Sequence, residues 1–275
     1  MRRSAVKSAA RTLQVLELFS ERRCPLKLHD IHLALNYPQS STTNLLKSMV
    51  MLGYLNYSRV TRTYLPTNRV ALLGNWLPSF LYGQQRYQDL LEELLRKTDE
   101  TVVLVTQNDL YIQYVRVTTP AHEFKMPPPE GTMRLLTDSS AGFALMSQMS
   151  DAQIDKICRY VNYYELSPNG RVDSVETLKH VLRVREQGYC FVPYRPTPAT
   201  ASIAFPLGEQ VHGIPMAVGV GGLTERIVQR KAELTEACLE SIASFKLHSH
   251  KSEDLARMAQ LPGPPIEAKA LEVSR

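Results

Sequence analysis

One short stretch of this chain can hydrogen-bond outward without carrying negative charge: Gln39, Ser40, Ser41, Thr43, Asn44 and Lys47. At helical spacing these side chains share one side, while Leu45, Leu46, Met49, Val50 and Leu52 form an apolar stripe on the other. Short amides and hydroxyls reach base edges, with Gln39 and Asn44 able to pair with adenine, and Lys47 neutralises a phosphate. A solvated helix face ordinarily mixes Glu with Lys; this one has no carboxylate. Thr42 falls towards the stripe and is set aside. Arg59 and Arg62 follow on a short connection between two β-rich runs.

The elements that must hold these residues follow from local signals. A first helix starts at Ser8 and runs to about Ser20, with Leu13, Leu16 and Phe19 on one face and Val15 and Leu18 flanking it. Pro25 breaks the chain, Leu28–Leu35 forms a second helix, and Asn36-Tyr37-Pro38 is a tight turn. A third helix from Gln39 to Leu52 is closed by Gly53. Tyr54–Tyr57 and Arg62–Pro66 then read as two strands. A basic hairpin in this position is a wing whose tip can reach DNA backbone or minor groove; edge protection is the plainer role for its arginines.

Residues 69–98 are mostly helical, with a break at Gly83, and their apolar Leu72, Leu73, Trp76, Leu77 and Phe80 suit packing on another helix, such as that of a second subunit. Beyond Thr98 the period changes. Strands are expected at 101–106, 110–115, 123–126, 189–193, 201–206 and 214–220, with a hairpin turn at Asn108-Asp109. Helices are expected from Ser139 to about Met149, at 152–160, at 175–186 up to Gly188, and at 225–246. Residues 248–275, with Pro262, Pro264 and Pro265, read as a disordered tail. The class is α+β with an antiparallel sheet. Its parts are a helix-turn-helix domain at 1–68, a helical linker at 69–98, a second domain at 99–247 and the tail.

Charge separates the parts. Residues 1–80 hold eleven Lys/Arg against three Asp/Glu, a net of +8; the 275-residue chain is +5, so the remainder carries −3. The positive excess lies on the helix-turn-helix segment, the footprint of a nucleic-acid-binding domain attached to something else. Cys24, Cys158, Cys190 and Cys238 are scattered without a CxxC pair, and the histidines are dispersed, so no metal site is expected. Gly219, Gly221 and Gly222 lack dinucleotide spacing, and no phosphate loop, nucleophile elbow or other cofactor motif is present. No apolar run is long enough for a membrane span, and no signal core follows Arg2 and Arg3; the expected location is cytoplasmic.

Taken in order and spacing, these segments resemble the IclR family of bacterial transcriptional regulators. The resemblance rests on Ser8–Leu16, Pro38–Ser41, Leu45–Met49, Gly53–Leu55, Tyr64-Leu65, Leu72–Gly74, Thr98–Val102, Ala141-Gly142, Arg185–Tyr189 and Ile203–Pro206. It covers roughly residues 6–246 and implies a winged helix-turn-helix domain, a linker helix and a GAF- or profilin-like effector-binding domain. It further implies a double-stranded DNA operator, a small-molecule effector, a homodimer or dimer of dimers, and control of a catabolic operon. Departures are clear. Asn44 stands where the family usually has Arg, Pro66 where it has Gly, and Leu135, Thr137 and Phe143 where it has Pro, His and Lys. The acidic pair expected after Gly188-Tyr189 is replaced by Val192, Pro193, Tyr194 and Arg195. Ser202 stands where Cys is frequent, and Gly219 and Gly221 where some members carry hydroxyls.

By position, the resemblance implies an effector pocket walled by Ser139, Ser140, Ala141, Pro193, Thr200, Ser202, Gly219 and Gly221. Helix-start N–H groups and the Ser139 and Ser140 hydroxyls suit a carboxylate, unless the serines merely cap the helix. The two glycines suggest room for a flat, aromatic acid. The competing classes are a small-molecule enzyme and a winged-helix scaffold for protein partners. No nucleophile–base or acid–base constellation supports the first, and neither explains the basic N-terminal segment. Substitution separates them: in a DNA binder, Lys47→Ala and Arg62→Ala should each weaken binding to all sequences. Each should also lower the slope of log affinity against log salt by about 1, measured by fluorescence anisotropy.

Overall fold

A computed structural model describes residues 6–77, 85–121, 127–194, 199–211 and 213–259. The chain divides between Gln84 and Gln85 into two compact units.

The first unit opens with helix α1 (Lys7–Arg22), strand β1 (Leu26–Lys27), α2 (Leu28–Ala34) and α3 (Gln39–Met51). The hairpin β2 (Leu55–Ser58) and β3 (Thr63–Pro66) follows, then α4 (Asn68–Gly74). Its antiparallel sheet has the order β1-β3-β2. Gly53 closes α3 with φ 79°, a conformation that favours glycine. Val15, Leu18, Phe19, Ile31, Leu46, Met49, Leu55 and Tyr64 form the core.

Three local expectations change. α1 begins one residue before Ser8, with Val6 at its N-cap. It buries Val15, Leu18 and Phe19 and leaves Leu13 exposed, because α3 and β3 press on that side. On α3 the buried stripe is Thr42, Leu46 and Met49, whereas Leu52 lies past the last turn and is exposed. Thr42 belongs in a core because its hydroxyl donates to Pro38 O at 3.1 Å, leaving its methyl to pack. β1 is too short to have left an alternating pattern.

The second unit contains α5 (Gln85–Thr98), β4 (Thr101–Asn108), β5 (Tyr111–Thr118) and β6 (Met133–Leu135). A 3-10 turn at Leu136–Asp138 leads into α6 (Ser140–Met146), α7 (Asp151–Tyr163) and α8 (Ser174–Gln187). β7 (Cys190–Pro193), β8 (Thr200–Val211), β9 (Ile214–Leu223), α9 (Thr224–Gln229) and α10 (Lys231–Ala259) complete it. The six strands are antiparallel in the order β6-β5-β4-β9-β8-β7. Asp109, φ 54°, makes the tight turn between β4 and β5. The strand expected at 123–126 lies outside the described residues. β6 was not anticipated, α6 stops at Met146, and α10 runs through the expected tail as far as Ala259.

Strand register sorts the side chains into two faces. Two cross-strand rows, Thr101–Gly221–Ser202–Val192 and Val103–Gly219–Ala204–Cys190, lie on the face that α6 covers. Their small members let the helix approach closely. The other face carries Val102, Leu104, Ile203, Phe205, Val218 and Val220, all buried, with α5 and α10 packed against the sheet and each other. Tyr87 of α5 and Phe245 of α10 meet at 5.4 Å between ring centroids.

A buried ion pair joins the start of β4 to the segment after β9, its neighbour in the sheet. Glu100, 0% exposed, accepts from Arg226 Nη2 at 2.8 Å and from Arg226 Nε, while Arg230 approaches at 3.5 Å and donates to Thr98 O at 3.1 Å. Gly222 makes room for it, since a Cβ there would collide with Glu100 Oε2. Breaking a buried pair leaves a charge uncompensated. Glu100→Gln should therefore destabilise the second unit by about 3 kcal/mol, read as a lower urea midpoint in its transition. A shift smaller than about 0.5 kcal/mol, the size of a screened surface pair, would refute this role.

Candidate nucleic-acid interface and effector face

The outward face of α3 is built by the same packing that buries its stripe. With Thr42, Leu46 and Met49 turned inward, Gln39, Ser40, Asn44 and Lys47 are exposed and Ser41 and Thr43 are half-buried. Thr43 donates its hydroxyl to Gln39 O at 2.8 Å and Ser41 to Pro38 O at 3.0 Å, so both oxygens are left with lone pairs to accept, and Ser41 already shares one with Arg11. Pro38 occupies the N-cap, no side chain caps the helix, and the first turn has no acid. The positive end of the helix dipole is therefore left uncovered, which suits an anionic backbone.

A residue outside the expected set joins this end of α3. Arg11 of α1 lies over the Tyr37 ring at 4.5 Å and donates to Ser41 Oγ at 3.4 Å, while the Tyr37 hydroxyl donates to Gln14 Oε1. Arg11 and Ser41 are far apart in sequence, so no periodicity could have joined them. The wing carries Arg59 and Arg62, both exposed, on the loop that the Ser58–Thr63 pair closes. Arg62 adopts φ 56°, and Thr61 and Thr63 share a hydroxyl hydrogen bond of 2.7 Å beside it. Tyr57 and Tyr64, with ring centroids 4.7 Å apart, stiffen the strands below.

In the second unit, α6 is completely buried and seated by Gly142, where any Cβ would collide with the Leu136 carbonyl. Ser140 Oγ and Ser202 Oγ meet at 2.6 Å, which joins the start of α6 to β8. Thr200, Gly219 and Gly221 lie on the same face as Ser202, and Ala141 is buried within α6. Phe143 stacks on His180 of α8 at 4.7 Å between centroids.

Two expectations about this pocket are corrected and an open one is resolved. Ser139 is the N-cap of α6, accepting from Gly142 N at 3.0 Å, the capping role the sequence had left open for it. Pro193 pairs with Ala201, one step out of phase with Val192 and Ser202, which puts it on the opposite face. Gly219 opens no space, because a Cβ there would sit 3.1 Å from Val103 Cγ2; it is a packing glycine. Burial pushes the Cys190 and Cys238 thiols up to about 12 and raises that of Cys158, so all three stay protonated and inert at neutral pH.

Comparison with known proteins agrees with this division. Residues 8–59 match the IclR helix-turn-helix domain, and residues 84–244 match the bacterial transcriptional regulator IclR C-terminal domain. The chain is 21% identical to the HTH-type transcriptional regulator XynR of Escherichia coli, over 81% of this chain and 88% of that protein. It is 24% identical to the Pca regulon regulatory protein of Pseudomonas putida, over 82% and 77% respectively. The solved effector domain of an IclR transcriptional regulator from Acinetobacter sp. ADP1 is 30% identical and superposes with a TM-score of 0.56, covering 61% of this chain and 98% of that one. Among the described residues no helix is long and apolar enough to cross a membrane. A helix-turn-helix unit and an antiparallel effector sheet in one chain, each matched by its own family description, make this protein a member of the IclR family of transcriptional regulators, which are not enzymes.

Proposed function

We propose that this regulator, working in the cytoplasm, reads a double-stranded operator with Gln39, Ser40, Ser41, Thr43, Asn44 and Lys47, while Arg59 and Arg62 hold the backbone. We further propose that a small organic acid, bound on the α6 face of the second unit, modulates that binding. The observation that carries the first part is the exposed, acid-free face of α3 on a core that owes it nothing. The second part is supported by the Ser140–Ser202 hydroxyl pair among apolar neighbours Val103, Ala204 and Val192. That mixture favours a carboxylate with an apolar or aromatic body, as a catabolic regulator would sense.

In this reading residues 1–68 bind DNA, 69–98 link, and 99–247 sense. The chain acts as a homodimer or dimer of dimers. Leu72, Leu73 and Trp76 are 59%, 56% and 57% exposed on or just after α4, an apolar surface suited to a second copy. Effector binding shifts the population between dimer states whose two recognition helices do and do not match half-sites about one helical turn, ~34 Å, apart.

Fluorescence anisotropy on the DNA immediately upstream of the protein's own coding region tests this, with scrambled DNA as reference. Specific binding tighter by about 10³ or more, with a steep salt slope, is expected. Equal, weak binding to upstream, scrambled and other promoter DNA, unchanged by added organic acids, would overturn it.

A further inference from the structure

The described residues contain four buried side-chain N or O atoms without a hydrogen-bond partner: Arg86 Nε, Arg134 Nε, Thr137 Oγ1 and Thr235 Oγ1. Arg86 is otherwise engaged, its guanidinium lying 5.0 Å from the Tyr87 ring centre and 5.1 Å from that of Phe245. Thr235 stands by itself on α10. Arg134 and Thr137 lie three residues apart in the segment that runs from β6 into α6.

Register shows which way Arg134 faces. It pairs with Ile112, which pairs with Gln107, and along β4 Gln107 shares the face of Val105, Val103 and Thr101. That is the face of Gly219, Gly221 and Ser202, the one α6 covers. Ile112 and Val105 on this face are both 0% exposed, and Arg134 is half-buried with its Nε shielded from solvent. Three residues on, Thr137 is 6% exposed, and the turn that carries it is clamped to α6 by the contact of Gly142 with the Leu136 carbonyl. The two nearest acids in sequence are engaged elsewhere: Glu130 with Arg116 at 3.4 Å, and Asp138, which accepts from Asn169 Nδ2 at 3.4 Å. No ion pair with Arg134 is formed among the described residues.

A guanidinium N–H and a hydroxyl that are buried without acceptors remain costly until something supplies oxygen lone pairs. A carboxylate does this in one geometry, taking a charge-assisted hydrogen bond from the arginine and another from the threonine. We propose that Arg134 and Thr137 are the anion-selecting residues of the effector site, holding the carboxylate of a ligand whose apolar body lies against the α6 face. This rests on the reading of the second unit as an effector domain, and it adds the residues that set the ligand's charge.

The test uses the full chain and two variants, Arg134→Met and Arg134→Lys, in thermal-shift titrations with benzoate, phenylacetate and hexanoate, each against its neutral amide. At least one acid should protect the wild-type protein while its amide does not. Arg134→Met should lose about tenfold or more in affinity for that acid, and Arg134→Lys should keep part of it. Without ligand, Arg134→Met should melt within about 2 °C of the wild-type protein, because Arg134 is half-buried and forms no ion pair among the described residues. Wild-type affinity in Arg134→Met, or no protection of the wild type by any acid, would each overturn the proposal. Operator binding by Arg134→Met, followed by anisotropy, separates the two readings. Specific DNA binding with any of those failures sinks the anion site alone, whereas absent DNA binding by the wild type sinks the regulatory reading.

Discussion

Everything on the second unit's sheet is positioned by one buried carboxylate. Glu100 sits at the junction of α5 and β4 and is gripped by Arg226, within α9, and Arg230, just past its end. This cross-link sets where the first and last long strands of the unit start and stop, and hence which residues oppose each other. The Thr101–Gly221–Ser202 row exists because Thr101 directly follows Glu100 while Gly222, its contact on β9, directly follows Gly221. A slip of one residue would turn Ser202 away from α6 and replace it with Ala201 or Ile203. An electrostatic constraint at one end of the central strands thus decides which side chains face α6. The guanidiniums are partly solvated, which lets one carboxylate serve two of them.

The first unit depends on nothing comparable. Its order comes from a small apolar cluster, and its surface chemistry follows as a by-product. Short hydroxyl side chains on α3 use their protons on their own helix and keep their lone pairs outward. Arg11 adds charge at the helix start without lengthening α3, because Tyr37 holds its guanidinium flat.

Much of this was legible in the sequence, and the limits have physical causes. Elements ended by a conformational requirement could be read locally: Gly53 after α3, Gly188 after α8, and Asp109 in the β4–β5 turn all adopt positive φ, and all were anticipated. Elements defined by a neighbour could not. β1 exists because β3 offers it an edge, and β6 because β5 does. The inward side of α1 was misjudged because Val15 and Leu13 are equally apolar and only the packing of α3 and β3 distinguishes them. Of the residues read as pocket walls, Ser202, Thr200 and Gly221 share the sheet face that Ser140 meets, and the capping role open to Ser139 is the one it takes; the phase of Pro193 and the crowding of Gly219 by Val103 depend on strand pairing and could not be read locally. Arg134 escaped notice because a lone arginine on a short run carries no pattern; what marks it is the missing acceptor.

The separation of duties on α3 has a consequence for how such a protein changes over time. Thr42, Leu46 and Met49 hold the helix in place, while Gln39, Ser40, Asn44 and Lys47 contribute almost nothing to the core. Surface substitutions away from packed or capping positions typically alter stability by no more than about 0.5 kcal/mol, whereas a changed base contact is worth about 1–3 kcal/mol of discrimination. Operator preference can therefore drift with little penalty in folding. Duplicated copies of this chain could come to address different promoters while keeping one scaffold and one sensor.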